Sequence, residues 1–188
     1  VATANEGDWK GGSRGWTVFD TKGAVVWDAG NSIEEIANKY GLHNEKRAGK
    51  KGPEIEGLAV AEIEGVRYAF VASERSNFVA VYKVDDPAKP AFEQLLFTTN
   101  GPEGILPIPG RNLLAVSSET DDASARVRSA VNLYKLGADA PETAQPSIVS
   151  AKSEDGHAVP WTALGSLAAS KSGASTLYAA SDAALDTA

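Results

Sequence analysis

Apolar positions in this chain come in short runs that repeat. Tyr68-Ala-Phe-Val-Ala-Ser-Glu74, Leu113-Leu-Ala-Val-Ser-Ser-Glu119 and Thr176-Leu-Tyr-Ala-Ala-Ser-Asp182 are versions of one phrase: an apolar run, a small residue and a carboxylate. Val1-Ala-Thr-Ala-Asn-Glu6 is a fourth copy. A second phrase, Glu56-Gly-Leu-Ala-Val-Ala and Glu103-Gly-Ile-Leu-Pro-Ile, recurs at a spacing of roughly 47 residues, which is the period of radially repeated β-sheets. Alternation is only partial, as in Val79, Val81 and Val84 beside Ala80 and Lys83. Strands covered on both faces read this way.

The repeat predicts a four-stranded unit with strands A to D at 56–63, 67–73, 78–84 and 92–98. Gly65 marks its first turn, and Asp85-Asp-Pro-Ala-Lys-Pro90 breaks the ladder before strand D. A second unit follows at 104–108, 113–118, 130–136 and 147–151, with a long polar connection at 120–129. A third begins with strands at 164–169 and 176–180 around a turn at 171–174. The chain opens on strands B, C and D at 1–5, 15–20 and 24–28. An aromatic recurs near the end of strand C as Phe19, Tyr82 and Tyr134. Residues 31–40 break the pattern. A capping Asn31 or Ser32, early acids, and apolar Ile33, Ile36, Ala37 and Tyr40 predict a short amphipathic helix stopped by Gly41. A basic loop, 43–51, follows it.

The fold class expected is therefore all-β: a β-propeller fragment of two complete and two partial four-stranded blades, with one short inserted helix. Its segments are a partial blade at 1–30, the helical insertion and basic loop at 31–51, complete blades at 52–99 and 100–151, and the start of a further blade at 152–188. Val1 falls in mid-strand and the chain has no Met, so the natural N-terminus is expected upstream.

Composition narrows the chemistry. With 188 residues, 43% of them apolar, the chain can bury a sizeable core. A net charge of −7 gives no global support for binding nucleic acid or an anionic membrane. Without cysteine there are no disulfides, Cys-bound zinc or Cys nucleophiles. No apolar run reaches the ~20 residues of a membrane span.

Residues repeated at equivalent strand ends converge in a propeller although they are distant in sequence. Two carboxylate sets do this: Glu56 and Glu103, with Glu54 beside them, and Glu6, Glu74, Glu119 and Asp182. Clustered carboxylates repel unless neutralised, and an all-oxygen set with only His43 and His157 as nitrogen donors suits Ca²⁺ better than zinc. The same repetition also serves blade architecture through turn geometry and bonds to neighbouring amides, and both readings stand. Asn5-Glu-Gly-Asp8 precedes the flexible loop carrying Arg14. The candidate metal ligands are thus Glu6, Asp8, Glu54, Glu56 and Glu103, with Glu74, Glu119 and Asp182 as secondary candidates. Arg14, Lys50 and Lys51 are candidates for phosphate, and Arg75 reads equally as an ion-pair partner of Glu74. No catalytic residue is identified. Gly11-Gly-Ser13-Arg-Gly15 matches the hydrolase elbow formally, but a strand follows it where that motif needs a helix.

Ala4-Asn-Glu-Gly-Asp8, Arg14-Gly-Trp-Thr-Val-Phe-Asp20, Val26-Trp-Asp-Ala-Gly30, Lys51-Gly-Pro-Glu-Ile-Glu-Gly-Leu-Ala-Val60 and Gly101-Pro-Glu-Gly104 resemble the secreted bacterial propellers of the choice-of-anchor I, alkaline-phosphatase-like type. Pro160-Trp-Thr-Ala-Leu-Gly-Ser-Leu-Ala-Ala169 resembles the opening of an "esterase-like activity of phytase" domain. The resemblance implies an exported propeller, periplasmic or extracellular, with calcium-dependent hydrolysis of small phosphate esters. The chain departs from it in a shortened insertion after Asp8 and in Gly165-Ser-Leu where Ser-Gly-Leu is expected. The alternative is a non-catalytic cell-surface propeller that binds a protein or glycan. On either reading the rest of the same propeller is the expected neighbour.

Overall fold

A computed structural model describes residues 1–135, 137, 148–171, 175–182 and 185. It is all-β apart from two short helices, and its described strands form four antiparallel sheets. The first holds β1 (Ala2–Ala4), β2 (Trp16–Phe19) and β3 (Val25–Asp28). The insertion contains α1 (Ser32–Lys39) and α2 (Glu45–Ala48). The second sheet is a meander of β4 (Ile55–Ile63), β5 (Val66–Ser73), β6 (Phe78–Lys83) and β7 (Ala91–Phe97). The third has β8 (Pro102–Ile108), β9 (Leu113–Ser118) and β10 (Ala130–Lys135). The fourth pairs β11 (Leu164–Ala169) with β12 (Leu177–Ser181).

The first three sheets stack face to face in chain order. Between the first and second, Trp16, Val18, Val71, Ala80 and Tyr82 are buried together with Ile33, Ile36 and Ala37 of α1. Those three apolar positions are the face that the helical spacing predicts. Trp27, Trp16, Tyr82 and Phe92 form an edge-and-tilt aromatic chain with centroids 4.7 to 5.7 Å apart in consecutive pairs, an arrangement that adds to their burial. Between the second and third sheets, Phe70, Ala72, Val79 and Val81 meet Leu114 and Val116. The central strands β5 and β6 are buried on both faces, which is why their sequence alternates so weakly. Successive stacking of small antiparallel sheets agrees with the propeller expectation as far as it goes. The described residues form no closed ring.

Two expectations change. Residues 148–151 form no strand; Ser150 instead donates its amide to the Lys39 carbonyl at 2.9 Å, so this segment crosses back to α1. β-Ladder pairing here lost to docking on a helix end, whose last carbonyls lack partners of their own. The basic loop is also not irregular throughout, because residues 45–48 coil into α2. Leu136 and Ser147, expected to end one strand and begin another, and Ser172, Gly173 and Ala174 of the expected third-unit turn, lie outside the described residues.

Candidate functional site

The repeated phrases have a common backbone cause. In the second sheet the ladder pairs Ile55 with Ser73 and then Gly57 with Ala72, leaving Glu56 in a bulge. In the third it pairs Pro102 with Ser118 and Gly104 with Ser117, leaving Glu103 in the same bulge. The fourth repeats the shift around Gly165. Each bulge is followed across the ladder by a clasp. Ser73, Ser118 and Ser181 donate their hydroxyls to the carbonyls of Pro53, Thr99 and Thr162 at 2.7, 3.0 and 2.7 Å. The next amides, of Glu74, Glu119 and Asp182, donate to the carbonyls of Glu54, Gly101 and Ala163 at 2.8 to 2.9 Å. The Ser-acid ending thus has an architectural role through its hydroxyl and amide, and its carboxylate is left over. A bulge re-aims its extra side chain, so Glu56 and Glu103 turn toward these same strand ends.

The outcome is a row of carboxylates drawn from three sheets. Carboxylate oxygens of Glu6, Glu54 and Glu56 lie within 4.8 Å of one another, and so do those of Glu74, Glu103 and Glu119. Glu56 joins the two groups by hydrogen bonding to both Glu6 and Glu74. Desolvation, then these two bonds, push its carboxyl up to about 8, even though the residue as a whole is exposed. Burial likewise raises Glu74. Glu6 is lowered instead, first by its bond to the Lys51 ammonium and then by Glu56. The two sequence sets are therefore interleaved in space. Asp8 is exposed and belongs to neither group of three. Asp182 sits apart from them, against Gly165, where any β-carbon would collide with its carboxylate.

The expected phosphate-binding residues are mostly committed elsewhere. Arg14 donates to the carbonyls of Ala48 at 2.8 Å and Lys50 at 2.5 Å and approaches Glu34 at 3.4 Å, pinning the α2 segment. Gly7, with φ +88°, lies against the Arg14 stem, which explains the glycine in Asn5-Glu-Gly-Asp8. Lys51 pairs with Glu6 and lies 3.7 Å from Glu54; the Glu6 bond is the main reason its ammonium is held above its ordinary range. Glu54 is fully buried and ion-paired to Arg47, Lys51 and Arg75, so it anchors the basic segment beside the row. Arg75 also holds Glu74 at 2.7 Å. Lys50 alone of the three candidates is exposed with an ammonium that touches no described side chain. Ser13 accepts from the Asn5 amide at 3.1 Å and leads into β2, so the strand–elbow–helix context is missing.

Sequence reasoning did not single out Arg47 or the bulges. Arg47 sat within a basic run, and only the spacing of Glu56 and Glu103 ahead of glycine hinted at a shared irregularity.

Residues 9–87 match the family model described as the Choice-of-anchor I domain. This stretch carries β2 to β6, both helices, Glu54, Glu56 and Glu74, but neither Glu6 nor Glu103. No curated protein and no solved structure matches the chain. The choice-of-anchor I match points to a cell-surface or extracellular protein of propeller-like build. Among the described residues no helix is long and apolar enough to cross a membrane.

Proposed function

We propose that this chain is part of a propeller at the cell surface or outside the cell, and that its carboxylate row holds Ca²⁺ to lock consecutive blades together. On this reading 1–30, 52–99, 100–151 and 152–188 are successive blades and 31–51 is an insertion. The observation that carries the proposal is the row itself: two groups of three carboxylates, with oxygens within 4.8 Å inside each group, joined through Glu56 and drawn in all from three sheets. Such crowding is relieved either by a proton, as on Glu56, or by a divalent cation. The donor set fits a hard oxygen-seeking ion: carboxylates only, with bulge and clasp fixing where they start. Glu6, Glu56 and Glu74, with Glu103 and Glu119, are the ligands assigned. Glu54 is reassigned from ligand to anchor, because its charge is already balanced by three cations.

The pH dependence follows in sign. The Glu56 carboxyl lies at about 8 in the folded chain against 4.5 for an ordinary glutamate. Its contribution to stability is therefore full below pH 4.5 and is lost as pH rises through 8. Cation-free protein should melt progressively lower between pH 5 and 8, and Glu56→Gln should flatten that slope. Ca²⁺ at a hundred times its Kd should restore about 2.7 kcal/mol, more completely at pH 8 than at pH 5. Differential scanning calorimetry with Ca²⁺, Mg²⁺ and chelator checks both. A melting temperature indifferent to Ca²⁺ at pH 8 would refute the cation site.

Hydrolysis of phosphate esters is the second reading, and it rests on Lys50 as the uncommitted cation next to Lys51. Ca²⁺ would supply charge neutralisation for a bound phosphate, with Lys50 taking a remaining oxygen. With Arg14 and Lys51 engaged in ion pairs or carbonyl bonds, the binding role is the better supported of the two. Turnover of p-nitrophenyl phosphate that requires Ca²⁺ and falls at least tenfold in Lys50→Ala would reverse that order.

A further inference from the structure

At one end of the first sheet, the loop between β1 and β2 faces the turn that leads from β3 into α1. Between them lies an open cleft of about 590 Å³, inside the range of roughly 300–1,000 Å³ usual for small-molecule sites. Every residue lining it falls within 9–87, and none belongs to the carboxylate row. Further blades pack on the faces of sheets. This cleft is bounded by loops at strand ends, so continuing the propeller does not fill it.

Its polar groups are only partly engaged. Asp28 accepts from the Thr17 hydroxyl and, at 2.8 Å, from the Gly30 amide, which leaves half of its lone pairs free. Arg14 commits three of its five N–H groups, to Ala48, Lys50 and Glu34. Ser13 accepts from the Asn5 amide at 3.1 Å and keeps its own proton to donate. The second carboxylate oxygen of Glu34 and the side-chain amide of Asn31 bond no other described residue. This inventory selects the ligand. An anion would meet Asp28 and Glu34, a cation would meet Arg14, and an apolar molecule would leave all these groups unpaired. A hydroxyl donates and accepts at once, so a neutral polyhydroxylated molecule satisfies both kinds.

Trp9 stands beside the cleft. At 80% it is the one exposed residue among the four tryptophans, and its carbonyl accepts from the amide of cleft-lining Gly12 at 2.9 Å. The Lys10 ammonium lies over the Trp9 ring, 5.5 Å from its centroid, which steadies one face and leaves the other for a ligand. Lys10 itself takes φ +50°, so the turn that carries the ring holds its shape against backbone strain.

We propose that this cleft binds a neutral oligosaccharide, with Trp9 stacking on the apolar face of one sugar ring and Asp28, Asn31 and Glu34 bonding its hydroxyls. An array of neutral and uronic-acid oligosaccharides tests it, followed by titration calorimetry of the strongest binder. A neutral glycan should bind and should protect one tryptophan from oxidation by N-bromosuccinimide. Trp9→Ala should weaken binding about tenfold and remove that protection, and Trp9→Tyr should recover part of the affinity. Asn31→Ala should weaken binding without loosening α1, because its side chain makes no cap bond. Both positions are exposed, so circular dichroism and melting temperature should not change. An array with no neutral ligand, a preference for uronic acids, or neutral-glycan binding indifferent to Trp9→Ala each overturns the inference.

Discussion

Replacing Glu54 with alanine is expected to lower stability by about 3 kcal/mol, a fall in melting temperature of roughly 8 °C for a chain of this size. The side chain is 1% exposed and faces Arg47, Lys51 and Arg75. Removing it leaves Arg47 without its carboxylate and takes one of two partners from Lys51 and Arg75, which keep Glu6 and Glu74. The cost stays near the low end for broken buried pairs because those cations are 26 to 38% exposed and regain water. The backbone offsets part of the loss only when the replacement is glycine. Glu54 sits at φ +48°, a left-handed conformation in which any side chain is strained, so Glu54→Gly should recover some of the deficit of Glu54→Ala. Chemical denaturation of wild type, Glu54→Ala and Glu54→Gly tests this. A loss below 1 kcal/mol for Glu54→Ala would mean that Glu54 is not the anchor described, and its carboxylate would return to the ligand set.

The second large effect is expected at Gly57. A β-carbon there would collide with the Glu103 carbonyl and press on the Ala72 β-carbon at 3.0 Å. Neither neighbour is a flexible side-chain end, so β4 and β8 must move apart. Gly57→Val should cost about 3 kcal/mol, at the upper end of overpacking. It should also separate Glu56 from Glu103 and so abolish the Ca²⁺ shift in melting temperature even where the protein still folds. Gly104 provides the comparison. Its added β-carbon would meet chiefly the Ser117 hydroxyl, which can rotate, so Gly104→Ala should be milder. Equal costs at the two positions would argue against close approach of β4 and β8 as the source.

The strands were legible because their physics is local. Apolar runs bounded by Gly65, by Asp85 to Pro90 and by the Pro109 turn set β4 to β9 within a residue or two of where they lie. The spacing of Ile33, Ile36, Ala37 and Tyr40, with early acids and the stop at Gly41, likewise announced α1. The expected strand failed over its described residues, 148–151, because its only support was the repeat. Residues 148–151 have no neighbouring β10 edge in their favour strong enough to outweigh the free carbonyl of Lys39. The candidate site was legible in part. Repetition drew attention to Glu6, Glu56, Glu74, Glu103 and Glu119; Asp182 shared the pattern but belongs to neither group of three, and Asp8, singled out from Asn5-Glu-Gly-Asp8 alone, belongs to neither as well.

What the sequence determined by itself was the periodic part: strand, turn, strand, with a small residue and an acid at each end. Those features depend on backbone propensity and on side chains a few residues apart. What only the tertiary structure decided was which charges meet. Lys51 reaches Glu6 at the other end of the first sheet's loop, Arg75 comes back to Glu54 from beyond β5, and Arg14 spends itself on the carbonyls of Ala48 and Lys50. Ion pairing and desolvation depend on distances of a few ångströms between segments far apart in the chain, and a one-residue bulge is enough to change them.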